Sequence, residues 1–212
     1  EHGAGNNSAF TCRAMSSSGT DTYSAIAGAV GSLKGPLHGG ANAKVMEMFR
    51  YLNEAISDKE SDDEIRDVLV KLLAGEGGDG SGKIYGLGHA VYTMSDPRAV
   101  IIKKYAAKLA AEKGRAEQLQ LMDRIERMGI EKITARRKSP IAMCANVDMY
   151  SGLIYDMLGI PADMYTPLFA SARIAGWCAH RMEEVLTGGK IMRPAYRAVM
   201  DQTGYIPIDE RE

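Results

Sequence analysis

An all-α fold is what this sequence predicts, and three observations carry the prediction. Apolar residues recur at three- and four-residue steps through most of the chain, the period of a helix face. Helix start and stop signals bound those stretches. The strongest is Asp96-Pro97, an N-cap followed by proline at the first helical position. No stretch alternates apolar and polar residues as a half-buried strand would, and no internal repeat is present.

The elements follow in order. Residues 1–20, rich in Gly, Asn and Ser, read as a loop or a helix entry. From Asp21, a plausible N-cap, the run to Leu33 is small and apolar nearly all round. This suits a helix buried in the subunit core or in an oligomer interface. Gly35-Pro36 ends it. Residues 41–53 carry Val45, Met48, Phe49 and Leu52 on one face, and residues 63–74 carry Ile65, Val68, Leu69 and Leu72. Residues 75–82 are a flexible linker into the loop 83–96. Past Pro97, Ile102, Tyr105 and Leu109 mark a helix that Gly114 interrupts. Leu121, Met122, Ile125 and Met128 mark the next, with Arg124, Glu126 and Arg127 expected on a solvated face. The basic break 135–140 reads as a solvated charge cluster or an anion site. Asn146 is expected to cap a helix running to Leu158, and a long helix from Tyr165 to Leu186 passes through Phe169, Ile174, Trp177 and Met182.

Composition narrows the function classes. A net charge of −1 gives no argument for nucleic acid or an anionic membrane as partner. No apolar run is long enough to span a bilayer. The cysteines, Cys12, Cys144 and Cys178, form no CxxC pair, which fits a reducing compartment rather than a disulfide framework or structural zinc. The four histidines show no HExxH-like spacing. Glu1-His2-Gly3 is neither an initiator methionine nor a signal peptide, so a piece of a longer protein is expected.

Several polar residues sit where the fold does not ask for them. The loop 83–96 offers Gly86, Gly88 and His89, then places Arg98 in the first turn of a helix. The helix dipole disfavours a cation there, and an anionic partner would repair that. Such a loop, imidazole and guanidinium make a reasonable receptor for a small carboxylate, although glycine-rich loops before helices are common. His38 stands at a helix entry, where neutral imidazole is favoured and can donate to a developing enolate oxygen. Asp148 lies in a helix first turn, a position a carboxylate also takes for stability alone. Arg173 interrupts an apolar helix face with Phe169 and Trp177 at i−4 and i+4; a carboxylate ligand is a candidate partner.

Taken together, Gly35-Pro-Leu-His-Gly-Gly-Ala-Asn42, Gly86-Leu-Gly-His-Ala-Val with Ser95-Asp-Pro-Arg98, and Asn146-Val-Asp-Met-Tyr-Ser-Gly152 closely resemble the three signature segments of the citrate synthase family, which includes 2-methylcitrate synthase. Glu1-His2-Gly3, Ala172 to His180 and Arg193-Pro194 resemble its flanking segments. The resemblance runs from residue 1 to about 194 and matches the C-terminal part of a family member.

The resemblance implies roles. Asp148 would remove a proton from the acetyl methyl group of acetyl-CoA. His38 would donate a hydrogen bond to the thioester oxygen. His89 would polarise the ketone of oxaloacetate and protonate the new alkoxide. His2, Arg98 and Arg173 would hold oxaloacetate, joined by Arg193 from across a homodimer interface. Ile84, Tyr85, Gly86, Leu87 and Gly88 would run along the coenzyme A adenine, Phe169 would wall the pocket, and Arg136 to Lys138 would contact phosphates. No metal or cofactor is implied beyond the thioester substrate. A large helical domain (residues 1–39 and 159–212) would flank a smaller mobile one (residues 40–158). The implied enzyme is a Si-type citrate synthase, cytoplasmic in a bacterium or else in the mitochondrial matrix. A 2-methylcitrate synthase using propionyl-CoA is the nearest alternative, and a non-catalytic helical dimerisation scaffold the alternative of another class.

Overall fold

The computed structural model describes residues 5–137, 142–195, 197, 199–200 and 204–211. Among these the regular structure is helical, and the one β-bridge pairs Leu87 with Ala145. No helix among the described residues is long and apolar enough to cross a membrane.

Helices α1 (Asn7–Ser17), α2 (Thr22–Lys34) and α8 (Tyr165–Thr187) pack together. Their shared core is small-residue rich: Ala9, Cys12, Ala25, Ala29 and Leu33 close around Trp177. Helices α3 (Ala41–Ala55), α4 (Asp62–Ala74), α5 (Pro97–Glu112), α6 (Ala116–Arg136) and α7 (Asp148–Met157) build a second, larger core. It contains the predicted faces Val45, Phe49, Leu52, Ile65, Leu69, Met122 and Ile125. Tyr165, the first residue of α8, joins this second core. The site lies where the two cores meet.

Several expectations need correction. Residues 7–17 form a helix, not a loop. The Asn6 side chain caps it and Ala9, Cys12 and Ser16 bury one face. Those side chains are too small or too polar to make an amphipathic signal. Helix α2 buries only one face within this chain, for Tyr23 and Val30 are exposed. On α8, Ile174 and Met182 are exposed, whereas Trp177, His180 and Glu184 are buried. Polar burial there is served by Arg13, whose guanidinium donates to Glu184 at 3.1–3.2 Å. The face expected to be solvated on α6 is so only in part: Arg127 is exposed, whereas Arg124 and Glu126 are half-buried. Arg124 and Arg127 donate to Asp62 at the start of α4, at 2.7 and 2.9 Å. Glu126 meets Lys103 at 2.8 Å and hydrogen-bonds the Tyr150 hydroxyl. Arg136 donates to the Leu73 carbonyl near the end of α4 at 2.8 Å. Lys138 lies outside the described residues.

Gly86 shows why the loop before α5 needs glycine. Its φ is +86°, and a Cβ built there would sit 2.7 Å from Met149 Sδ and 3.0 Å from Met149 Cα. A side chain would meet both a strained backbone and the start of α7. Gly86→Ala is expected to destabilise the protein by at least ~2 kcal/mol. A fall in the denaturant midpoint at constant m-value checks it.

Candidate active site

One cavity of about 110 Å³ gathers His38, His89, Arg98, Asp148, Phe169 and Arg173. They come from four places: the turn before α3, the loop before α5, the start of α7 and the middle of α8. Asn146 ties two of these together. Its backbone N–H donates to the Gly86 carbonyl at 2.8 Å, its side-chain amide donates to the Gly88 carbonyl at 2.9 Å, and its Oδ1 accepts from Asp148 N–H at 3.0 Å. The expected cap is displaced by one residue: Val147 takes the N-cap position and the helix begins at Asp148, with the Asn146 side chain bracing it from the residue before. The same residue fixes the loop that carries His89. Gly88 N–H donates to the Cys144 carbonyl at 2.8 Å and completes the clamp.

Asp148 has its pKa pushed up to about 6. Burial is the largest cause; the Arg98 charge opposes it and the Asp96 charge adds to it. The favourable helix start does not outweigh desolvation. A carboxylate of this basicity is ionised at neutral pH and a better proton acceptor than an ordinary aspartate.

His38 is held by α1 rather than by α3. Its Nε2 lies 3.0 Å from Ser8 Oγ and 3.4 Å from the backbone N–H of Ser8, in the first turn of α1. An N–H can only donate, so Nε2 is the acceptor and the ring proton is assigned to Nδ1. Burial lowers the pKa of His38, and the ring is neutral at physiological pH. Ser8, fully buried, is a partner of His38 that sequence reasoning missed, because a serine in a Ser- and Asn-rich stretch carries no signal. Ser8→Ala is expected to lower kcat about tenfold while leaving the KM for the partner carboxylic acid little changed, since the N–H contact survives; steady-state kinetics check it.

His89 uses Nδ1 to accept from the backbone N–H groups of Val91 and Tyr92, at 3.0 and 3.1 Å. In its neutral form the ring carries its proton on Nε2, which lies 3.3 Å from Arg98 Nη2. Arg98 is itself anchored by Asp96: Nε donates to Oδ1 at 3.0 Å and Nη2 to Oδ2 at 2.8 Å. Burial acts against the guanidinium charge, but Asp96 outweighs it and the Arg98 pKa is raised. The anion that repairs Arg98's position is thus first the N-cap carboxylate of its own helix. Arg173 is not idle either: its guanidinium lies 5.4 Å from the centre of the Phe169 ring, so the i−4 neighbour does engage it. Burial lowers its pKa.

The remaining candidates lie elsewhere. Residues 86–88 pair with 144–146, and none of residues 84–88 lines the cavity; the Tyr85 hydroxyl donates to Asp79 at 2.7 Å. Arg193 is exposed in the C-terminal tail, which Met192 N–H fastens to Ser17 Oγ at 3.0 Å. His2 falls outside the described residues. Asn42, Tyr155 and Tyr165 line the cavity without having been foreseen.

The family model described as citrate synthase, C-terminal domain, matches residues 1–195. The chain belongs to the citrate synthase family. It is 40% identical to a citrate synthase of Synechocystis sp. over 97% of this chain and 48% of that protein. It is 38% identical to a 2-methylcitrate synthase of Shewanella oneidensis over 97% of this chain and 50% of that one. Its structure matches the citrate synthase of Thermoplasma acidophilum, solved as a ternary complex with carboxymethyl coenzyme A and oxaloacetate. The TM-score is 0.74, with 31% identity over 96% of this chain and 50% of that one. The chain spans about half the length of the curated relatives it matches. Within the citrate synthase family fold, the cavity is assembled from segments more than 150 residues apart, as from Asn6 to Arg173.

Proposed function

We propose that the protein carrying this chain is a citrate synthase that condenses acetyl-CoA with oxaloacetate and water to give citrate and CoA. One observation carries the reading: a desolvated carboxylate, two imidazoles and two guanidinium groups converge on one small cavity. A thioester α-proton is only weakly acidic, so a base and a hydrogen-bond donor must act together. Asp148 takes the methyl proton while His38 Nδ1–H donates a hydrogen bond to the thioester oxygen, giving an enolate. The enolate carbon attacks the ketone carbon of oxaloacetate. His89 Nε2–H donates to the ketone oxygen and delivers its proton to the alkoxide formed, and the proton that Asp148 took from carbon makes good the one His89 gave up. Water then cleaves the thioester, releasing CoA. Arg98 and Arg173 face the dicarboxylate, which forked guanidinium donors suit.

The reading includes a homodimer, in which Arg193 acts across the interface. The exposed apolar side chains Tyr23, Ile174, Val185 and Leu186 on α2 and α8 support an interface there. It also includes a large domain of residues 1–39 and 159–212 closing on a small domain of residues 40–158. The separate cores support that division, and closure would exclude water. His2 would join Arg98 and Arg173 on oxaloacetate, and residues 84–88 would follow the coenzyme. No cofactor is called for, and bacterial relatives support a cytoplasmic location. A 2-methylcitrate synthase is the second reading, favoured by the near-equal identity to the Shewanella relative. Intact His38, His89 and Asp148 weigh against a scaffold.

The test is free-thiol release by the full-length protein with oxaloacetate and either acetyl-CoA or propionyl-CoA. Oxaloacetate-dependent release preferring acetyl-CoA supports citrate synthase. Preference for propionyl-CoA moves the assignment to 2-methylcitrate synthase with the same residue roles. No release with either sinks the enzyme.

A further inference from the structure

Tyr155 stands two turns below Asp148 on α7 and is the residue common to two spaces. On one side is the site cavity of about 110 Å³. On the other is an apolar groove of about 430 Å³ between α5 and α7, walled by Ile102, Leu109, Ile154 and Leu158. The ring packs against Tyr165, with centroids 5.1 Å apart and planes inclined at 52°. Burial raises the Tyr155 pKa, and the Asp148 carboxylate is near enough to raise it further. Among the described residues its hydroxyl has no hydrogen-bond partner, so packing alone holds the ring in place.

We infer that Tyr155 sets the acyl length the site accepts, as the partition between the cavity where Asp148 acts and the apolar groove behind it. The inference rests on the reading of Asp148 as the base. The carbon that loses its proton must sit against the Asp148 carboxylate. Any further carbon on an acyl chain must then fit in what remains of the cavity. With Tyr155 in place that space is closed toward α5. With the ring removed, the cavity opens into a groove that is already apolar and large enough for several methylenes. One methylene in a hydrophobic pocket is worth about 10- to 200-fold in kcat/KM, so the partition has a measurable effect.

The test compares Tyr155→Ala, Tyr155→Val and Tyr155→Phe in the full-length protein, with oxaloacetate and acetyl-, propionyl- or butyryl-CoA. Tyr155→Phe keeps the wall and breaks no hydrogen bond, and is expected to keep the unmodified selectivity. Tyr155→Ala and Tyr155→Val are expected to raise the kcat/KM ratio of butyryl-CoA to acetyl-CoA about tenfold or more. The ratio is read from active enzyme, so loss of stability alone does not move it. Should alanine misfold, the valine variant gives the answer. An active enzyme whose ratio is unchanged by Val or Ala overturns the partition and leaves the catalytic reading standing. An unmodified protein inactive with every thioester overturns both.

Discussion

Asp148→Asn is expected to abolish turnover and, at the same time, to stabilise the protein above pH 6. Removing a positioned general base costs about 10²- to 10⁴-fold in kcat. The stability gain comes from the same desolvation that makes Asp148 basic. The folded-state pKa, about 6, lies above the ordinary aspartate value of 3.8. The folded protein therefore binds the proton more tightly than the unfolded chain. The stability this adds is fully present below pH 4 and is lost as pH rises through 6. At neutral pH the ionised carboxylate carries a cost of ~3 kcal/mol, and asparagine does not ionise. Thermal unfolding at pH 8 is expected to show Asp148→Asn above the unmodified protein, with the difference vanishing toward pH 4. The kcat/KM profile of the unmodified protein is expected to fall on the acid side with a midpoint near 6. A variant that loses activity and also loses stability at pH 8 would remove the argument that burial sets the basicity.

Arg98→Leu is expected to have the second largest effect, on binding and folding together. Asp96 is fully buried and receives two hydrogen bonds from the Arg98 side chain. Removing one partner of such a pair leaves an uncompensated charge and costs about 3–5 kcal/mol. The Asp96 carboxyl, held below the usual carboxylate range against its burial chiefly by the Arg98 hydrogen bonds and charge, would lose that support. The KM for oxaloacetate is expected to rise at least about 100-fold, because a half-buried guanidinium facing a carboxylate is not replaced by water. A third consequence follows from the charge on Asp148. Arg98 lowers the Asp148 pKa, so its removal is expected to shift the acid limb of kcat/KM upward in pH. Arg98→Lys keeps the charge without the fork, and is expected to restore the limb more than it restores oxaloacetate binding. If Arg98→Leu leaves both the limb and the oxaloacetate KM in place, the guanidinium does not face the substrate.

Much of the fold is written locally. The faces of α3, α4 and α6 are read from apolar spacing, because those helices bury one stripe each and the stripe repeats every three to four residues. Asp96-Pro97 places the start of α5 within one residue, because an N-cap and a proline act on the backbone of their own turn. His38, His89, Arg98, Asp148 and Arg173 stand out as polar groups that local structure does not require. Their types already suggest enolate chemistry on a carboxylate-bearing substrate.

What the tertiary structure alone decides is who touches whom. Helix α1 is invisible in the pattern because its buried face is made of Ser8, Ala9, Cys12 and Ser16, whose worth lies in letting α2 and α8 come close. The tautomer of His38 depends on Ser8, 30 residues away, and that of His89 on backbone N–H groups that face it only once the loop is clamped by Asn146. The basicity of Asp148 is a matter of burial, which no spacing of residues reports. Tyr155 reads as one more apolar position on α7 until the helix is docked and its ring is seen to separate two spaces. Residue types and periods are properties of neighbours along the chain, whereas desolvation, tautomers and partitions are properties of neighbours in space.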